Sequence, residues 1–193
     1  MVIKTAKEIN KMIKEVLDKM SEKQVNEFMQ KLVHSRNIFV AGAGRSGLVG
    51  RAFAMRLMHL GFNVYVVGET ISPPVKPGDL LIAISGSGKT SATLTTVKTA
   101  KEIKATIVVI TSFKDSPIAK LADSIVVIGG REMKGMKHDY ISGQLTGAHE
   151  PLTPLGGLFE LSTKIFLDSV ITKLMKLYEE GEMDLKKRHA NIE

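Results

Sequence analysis

The feature that most constrains the fold is an alternation of short apolar runs with helical patterns between residues 38 and 128. Because strands that are apolar at every position are buried on both faces, the alternation predicts a parallel sheet with helices on either side. We therefore expect an α/β three-layer α-β-α sandwich around a five-stranded parallel sheet. The predicted strands cover residues 38–41, 64–67, 80–84, 106–110 and 125–128, and the predicted helices between them cover 46–60, 90–103 and 116–121.

Extra helices are predicted at both ends of this unit. Residues 2–35 have the apolar spacing of two helices broken near Ser21, where Ser21 and Gln24 have the form of a capping box. Residues 129–154 are polar and aperiodic, which is typical of a functional loop. Residues 155–178 predict a long helix whose apolar face is too wide for a single stripe. Such a helix is either deeply buried or shared between subunits, and we expect the second.

Composition limits the class of protein. The 193 residues are 44% hydrophobic and 24% charged, and we expect one domain over 1–193. The lack of cysteine excludes disulfides and thiolate chemistry, and no apolar run is long enough to predict a membrane span. The N-terminal residues are charged and amphipathic, so we expect a cytoplasmic protein. Basic residues are interspersed and aromatics make up 5%, so the net charge of +7 favours an anionic metabolite over nucleic acid.

Two loops rich in glycine and serine follow the first and third predicted strands. Gly-Ala-Gly-Arg-Ser-Gly occupies 42–47 and Ser-Gly-Ser-Gly-Lys-Thr occupies 85–90, and each opens a predicted helix. Glycines allow tight turns, and the free amides of a helix N-terminus attract phosphate. The hydroxyls of Ser85, Ser87 and Thr90 would suit a phosphate ester. The alternative is that Ser87 or Thr90 merely caps the helix.

Two other kinds of nucleotide site share these features. Gly42, Gly44 and Gly47 satisfy a dinucleotide pattern, and Glu69 lies near the position of a ribose-binding acid. However, two helices precede this loop and no second nucleotide-binding half follows it. A Walker lysine at position 89 would require a glycine at 83, where the chain has Ala83. A flavodoxin-like strand order of 2-1-3-4-5 accounts for both loops, because it places them on either side of one crevice.

At these loops the chain resembles the SIS (sugar isomerase) domain family, and within it the 6-phospho-3-hexuloisomerases. The resemblance implies the SIS fold and interconversion of 3-hexulose 6-phosphate and fructose 6-phosphate through a 2,3-enediol, in the ribulose monophosphate pathway. It also implies a homotetramer with no metal and no redox cofactor. Lys89 and Gly157 depart from the residues common in the family, Glu and Thr. The closer similarity lies in the segments 53–61, 67–70, 144–147, 154–160 and 188–193.

The resemblance also implies roles for particular residues. Glu160 is the expected proton-transferring base, although a glutamate in a first helical turn also complements the helix dipole. His59 and His189 are packed or helix-terminal residues by default, and they are expected to reach a neighbouring subunit's site. Residues of the first loop, Gly44, Arg45 and Ser46, are expected to bind phosphate or the sugar chain; the alternative for Arg45 is a solvated surface charge. Glu69 and Thr70 are expected to bind sugar hydroxyls.

Three alternatives to this function stay open. The first is a non-catalytic sugar-phosphate sensor, although no output module is visible in the sequence. The second is an isomerase of another phosphosugar. The third is a nicotinamide-dependent oxidoreductase that rests on the first glycine loop alone. His34, His138 and His149 have no metal-ligand spacing with Asp or Glu, so no metal site is predicted.

Overall fold

A computed structural model describes residues 2–130 and 154–189 of the chain. The helices are α1 (Val2–Leu17), α2 (Glu22–His34), α3 (Gly44–His59), α4 (Ser91–Glu102), α5 (Pro154–Leu177) and α6 (Glu182–Lys187). The strands are β1 (Ile38–Gly42), β2 (Val64–Val66), β3 (Leu80–Ile84), β4 (Thr106–Thr111) and β5 (Ser124–Val127).

The five strands form one parallel sheet in the order β2-β1-β3-β4-β5. This confirms the predicted strand order and the predicted fold class. All five residues of β3 are buried, as are the first four of β1 and the last five of β4. The central strands therefore have helices on both faces, which explains why their sequences are apolar at every position.

The core has two parts, one on each face of the sheet, because successive strand residues point in opposite directions. On one face, residues such as Ile38, Val40 and Ile82 pack with α2, α3, α5 and α6. On the other face, Phe39 and Leu81 pack with α4 and the segment around Ile118. The terminal helices α2, α5 and α6 thus contribute to the same core as the sheet.

Three expectations about local structure need correction. The predicted helix over 116–121 is only a short 3-10 turn at Ala119–Leu121. Ser21 does cap α2, but the Gln24 side chain does not complete the box, because its Oε1 accepts a hydrogen bond from the Val127 N–H at 3.0 Å. Gln24 therefore ties α2 to β5. The short helix α6 was not predicted at all.

The long helix α5 divides its apolar surface between the core and the exterior. Phe159, Phe166 and Leu167 are buried within the chain, which corrects the expectation that they belong to a face shared with another copy. Leu161 and Ile165 are exposed. The predicted loop over 129–154 lies almost entirely outside the described residues. No helix in the described ranges is long and apolar enough to cross a membrane.

Candidate active site

The first glycine loop joins β1 to α3 in a turn too tight for side chains at two positions. A Cβ on Gly42 would lie 3.0 Å from the Gly47 nitrogen, and a Cβ on Gly47 would lie 2.8 Å from the Gly42 oxygen. Gly44 begins α3 with φ of 56°, a left-handed conformation that favours glycine. The first-turn amides of α3 therefore lie directly at the end of β1, where they can attract an anion.

The second loop leaves the same edge of the sheet from the neighbouring strand. The last residues of β1 and β3, Gly42 and Ile84, are register partners. The chain continues from β1 to β2 on one side and from β3 to β4 on the other. This is the switch point at which sheets of this kind bind ligands. The expected crevice between the two loops agrees with this topology.

The hydroxyl groups of the second loop are hydrogen-bonded to one another and to loop amides. Ser85 Oγ accepts the Gly88 N–H at 3.2 Å and lies 3.2 Å from Thr90 Oγ1. Ser87 Oγ accepts the Lys89 N–H at 3.2 Å. Thr90 is the N-cap of α4, yet its side chain makes no capping hydrogen bond. Helix capping therefore does not account for this group of hydroxyls, which instead fixes the shape of the loop.

Gly88 holds the second loop against the segment that follows β4. Its φ is 61°, and a Cβ there would lie 2.1 Å from Ser116 Oγ and 2.3 Å from Ser116 Cβ. The sequence identified Gly88 as a loop glycine, but it gave no indication that Ser116 is its neighbour. Only a residue without a side chain fits at this position.

Glu160 reaches the first loop from α5. Arg45 Nη2 donates to Glu160 Oε2 at 3.1 Å, and Ser46 Oγ lies 3.5 Å from Glu160 Oε1. Glu160 is 8% exposed, whereas the Arg45 side chain is about half exposed. Because α5 begins at Pro154, Glu160 lies in its second turn and not in the first turn considered above. The alternative role, a first-turn partner of that helix's own dipole, is thereby removed.

Gly130 sets the position of α5 next to Glu160, a role that the sequence did not reveal. It follows β5 with φ of 110°, and a Cβ there would lie 2.7 Å from the Phe159 nitrogen. The backbone that leaves the sheet is thus in direct contact with the helix one residue before Glu160. A glycine just after a predicted strand is the only sequence signal of this contact.

Other predicted residues lie around this edge of the sheet. Glu69 and Thr70, in the exposed turn after β2, make no contact with the second loop among the interactions described here, and Arg51 of α3 donates to Glu69 Oε1 at 2.7 and 3.1 Å. Glu69, the acid that would bind ribose in a dinucleotide site, is thus paired with Arg51. Lys89 is exposed, and a Cβ on Gly157 would lie 4.0 Å from Arg45 Nη2.

His59 and His189 lie together at the opposite end of α3. Their ring centroids are 4.9 Å apart, and both line a pocket of about 390 Å³ with Arg56 and Lys186. His59 is 2% exposed, and its Nδ1 has no hydrogen-bond partner among the described groups. Burial lowers the pKa of His59, with further contributions from His189 and Arg56. Glu160 contacts the first turn of α3, so within the chain the two histidines are far from it.

The comparisons with known proteins decide the family. The model of the SIS domain matches residues 31–137, more than half of the chain. The chain belongs to the SIS family. It is 47% identical over 196 residues to an uncharacterized protein of Aeropyrum pernix, which covers 100% of this chain and 92% of that relative.

Two further SIS relatives carry a functional name. The 3-hexulose-6-phosphate isomerase of Bacillus subtilis is 39% identical over 173 residues, covering 90% of this chain and 89% of the relative. A Methanococcus jannaschii protein, whose crystal structure was taken to infer 3-hexulose-6-phosphate isomerase function, superimposes with a TM-score of 0.77. It is 34% identical, and the match covers 97% of this chain and 96% of that one.

The SIS match includes both glycine loops but ends before α5 and α6. Glu160 and His189 therefore lie outside it, and their places at the two ends of α3 come from the structure alone. No group of three or more potential metal-ligating side chains occurs in the described ranges 2–130 and 154–189. The described site contains a buried carboxylate, several hydroxyls and the amides of two helix N-termini.

Proposed function

We propose that this SIS protein interconverts 3-hexulose 6-phosphate and fructose 6-phosphate. The observation that carries the proposal is the buried carboxylate of Glu160 held beside the first glycine loop by Arg45 and Ser46. Relatives named 3-hexulose-6-phosphate isomerase, at about 40% identity over most of the chain, support a sugar-phosphate isomerase. In this proposal the chain forms a single SIS domain over 1–193, and every residue of the active site comes from a copy of this domain.

The second loop is the proposed phosphate site. The first-turn amides of α4 have no acceptor within the helix, and the positive end of its dipole favours a dianion. The hydroxyls of Ser85, Ser87 and Thr90 lie beside these amides and have fixed positions before a ligand arrives. Gly44, Arg45 and Ser46 would then contact the sugar from the neighbouring loop.

The proposed chemistry is a proton transfer between adjacent carbons. Glu160 removes the proton from C2 of the 3-ketose, which leaves a 2,3-enediolate with the charge on O3. A proton then moves from O2 to O3, and the protonated Glu160 delivers its proton to C3 to form the 2-ketose. Arg45 and Ser46 hold the carboxylate, and their N–H and O–H groups would stabilise the negative charge that develops on the enediolate oxygens. Glu69 and Thr70 remain proposed contacts of the distal hydroxyls.

His59 and His189 are proposed to act in a neighbouring subunit's site, where they would assist ring opening or proton transfer. His59 lies 13 residues along α3 from Ser46, about 20 Å at 1.5 Å per residue, too far for one sugar phosphate to touch both. The outer faces of α3 and α5 carry apolar side chains that are between 40% and 63% exposed, which indicates a surface covered by another copy. These side chains are Leu48, Met55, Met58, Leu161 and Ile165.

A two-fold axis across the middle of α3 would pair two copies of this helix in antiparallel fashion. The His59 end of each copy would then lie near the Gly44 end of the other. A homotetramer built from such pairs is the proposed assembly. It predicts that the Glu160→Gln and His59→Asn proteins, inactive alone, regain about a quarter of the wild-type activity when refolded together, since random pairing leaves that share of sites intact.

The reaction itself is tested by incubating the protein with fructose 6-phosphate in deuterated water. Deuterium at C3 supports the 2,3-enediol, deuterium at C1 would indicate a 1,2-isomerase, and no deuterium would indicate a binding protein. Glu160→Gln should lower turnover by about 10²-fold or more. The matched control is Asp168→Asn, an exposed acid on the same helix that pairs with Lys164. Equal turnover in the two variants would remove Glu160 from the proposed role.

A further inference from the structure

The chain that follows α5 folds back onto the far end of α3. Leu185 of α6 is buried in the core there, and His189 comes to 4.9 Å from His59. Between Leu185 and His189 in sequence lies Arg188, which hydrogen-bonds to the end of α3. Its guanidinium donates hydrogen bonds both to α3, at the His59 carbonyl, and to Glu180 in the C-terminal segment.

The end of α3 offers an acceptor to Arg188. Gly61 ends the helix in a left-handed conformation, with φ of 85°. The N–H groups of Gly61 and Phe62 bond to the carbonyls of Met58 and Leu57, and the carbonyl of His59 has no backbone donor among the described residues. Arg188 Nη1 donates to this carbonyl at 3.0 Å. The same guanidinium binds both oxygens of Glu180, at 3.0 and 3.2 Å, and lies over Gly61, 3.6 Å from where a Cβ would be.

We propose that Arg188 is a positioning residue that holds the rings of His59 and His189 against each other. Its guanidinium connects the backbone of one histidine, through His59 O, to the turn before α6, through Glu180. The importance of the pair for the reaction rests on the proposed function, whereas the positioning itself does not. Glu180 is the partner that keeps the guanidinium oriented.

An arginine suits this place for physical reasons. The C-terminus of a helix carries partial negative charge, so a cation there is stabilising. The planar guanidinium can bond a carboxylate with two donors and still reach a carbonyl, whereas a lysine offers a single point of charge. No described group bonds His59 Nδ1, and the ring of His189 packs against that of His59 with centroids 4.9 Å apart.

The pKa of His59 supplies a readout that a loss of stability would not imitate. Burial lowers this pKa, and the other causes are His189 and Arg56. The remaining charged groups near the pair are Lys186 in the same pocket and Arg188 itself. If Arg188→Ala lets the C-terminal segment move away, both burial and the His189 ring are lost, and the pKa of His59 rises toward 6.5.

The experiment is an NMR titration of histidine-labelled protein, with nuclear Overhauser contacts between the two rings measured at neutral pH. In Arg188→Ala we expect loss of these contacts and a raised pKa of His59. Arg188→Lys keeps the charge and should show a smaller effect of the same sign. The matched control is Lys187→Ala, which removes a neighbouring cation paired only with exposed Asp184 among the described ion pairs, and should change neither signal.

A measurement of turnover distinguishes a failure of the positioning role from a failure of the proposed function. Loss of orientation should lower kcat in Arg188→Ala by about 10-fold, with KM changed less than about 2-fold. Ring contacts and titrations identical to those of the wild type would overturn the positioning role, whatever the activity. Rings that separate while kcat stays unchanged would support the positioning role and overturn the part of the proposed function that involves the histidines. If Arg188→Ala does not fold, Arg188→Lys decides by the same signals.

Discussion

Replacement of Gly88 by alanine tests the geometry of the second loop. The new Cβ would lie 2.1 Å from Ser116 Oγ and 2.3 Å from Ser116 Cβ. Rotation of the serine can move its Oγ but not its Cβ, so the backbone has to shift. A left-handed conformation costs alanine about 1–2 kcal/mol, and overpacking costs about 1–3 kcal/mol more. We expect Gly88→Ala to lower the free energy of unfolding by about 2–5 kcal/mol in total.

The chain provides a matched control for the conformational part of this cost. Gly78 has φ of 84°, but a Cβ there would meet nothing within 4 Å. Gly78→Ala should therefore cost only about 1–2 kcal/mol. The difference between the two variants measures the contact with Ser116.

Urea denaturation followed by circular dichroism measures these free energies. Adding Ser116→Gly to Gly88→Ala removes both close atoms and should recover about 1–3 kcal/mol as a coupling between the two sites. If Gly88→Ala is no less stable than Gly78→Ala, or if the coupling is near zero, the described contact between the loop and Ser116 is wrong.

Three further predictions concern α5 and the far end of α3. Gly157→Ala should raise the melting temperature by about 2–4 °C in a scanning calorimeter, because alanine gains about 1 kcal/mol over glycine in a helix and Arg45 is 4.0 Å away; a lower value would contradict this. Because folding lowers the pKa of His59, the unfolded chain binds a proton at His59 more readily than the folded chain does. The free energy of unfolding should then fall as pH drops below 6.5, by at most about 1.4 kcal/mol per pH unit, and His59→Asn should remove this slope. Gly130→Ala should displace α5 at Phe159, so kcat should fall more than in Gly157→Ala; equal turnover would exclude a role in placing the helix.

The fold could be predicted from the sequence because its main signals are local. A buried strand such as β3 is apolar at each of its positions, and each glycine loop lies directly between a strand and a helix. The strand order followed from the requirement that both loops serve one crevice. The short helix α6 was missed because six residues with four charges show no clear periodicity.

The candidate site was harder to predict from the sequence, because its contacts join distant parts of the chain. Arg45 and Glu160 are separated by 115 positions, and His59 and Arg188 by 129. No local pattern shows that a glycine after β5 touches the backbone of α5. The family resemblance suggested Glu160, but only the structure shows that Arg45 and Ser46 hold it.

The helix α3 also limits how the chain can vary in length. It has 16 residues, about 24 Å, and both of its ends are fixed, by the close glycine contacts at the front and by the Arg188 guanidinium at the back. One inserted residue would rotate everything beyond it by about 100° and so break the contacts at one of the two ends. Insertions and deletions should therefore be excluded from this segment, while the exposed residues 76–78, where a Cβ on Gly78 would meet nothing within 4 Å, can accept them.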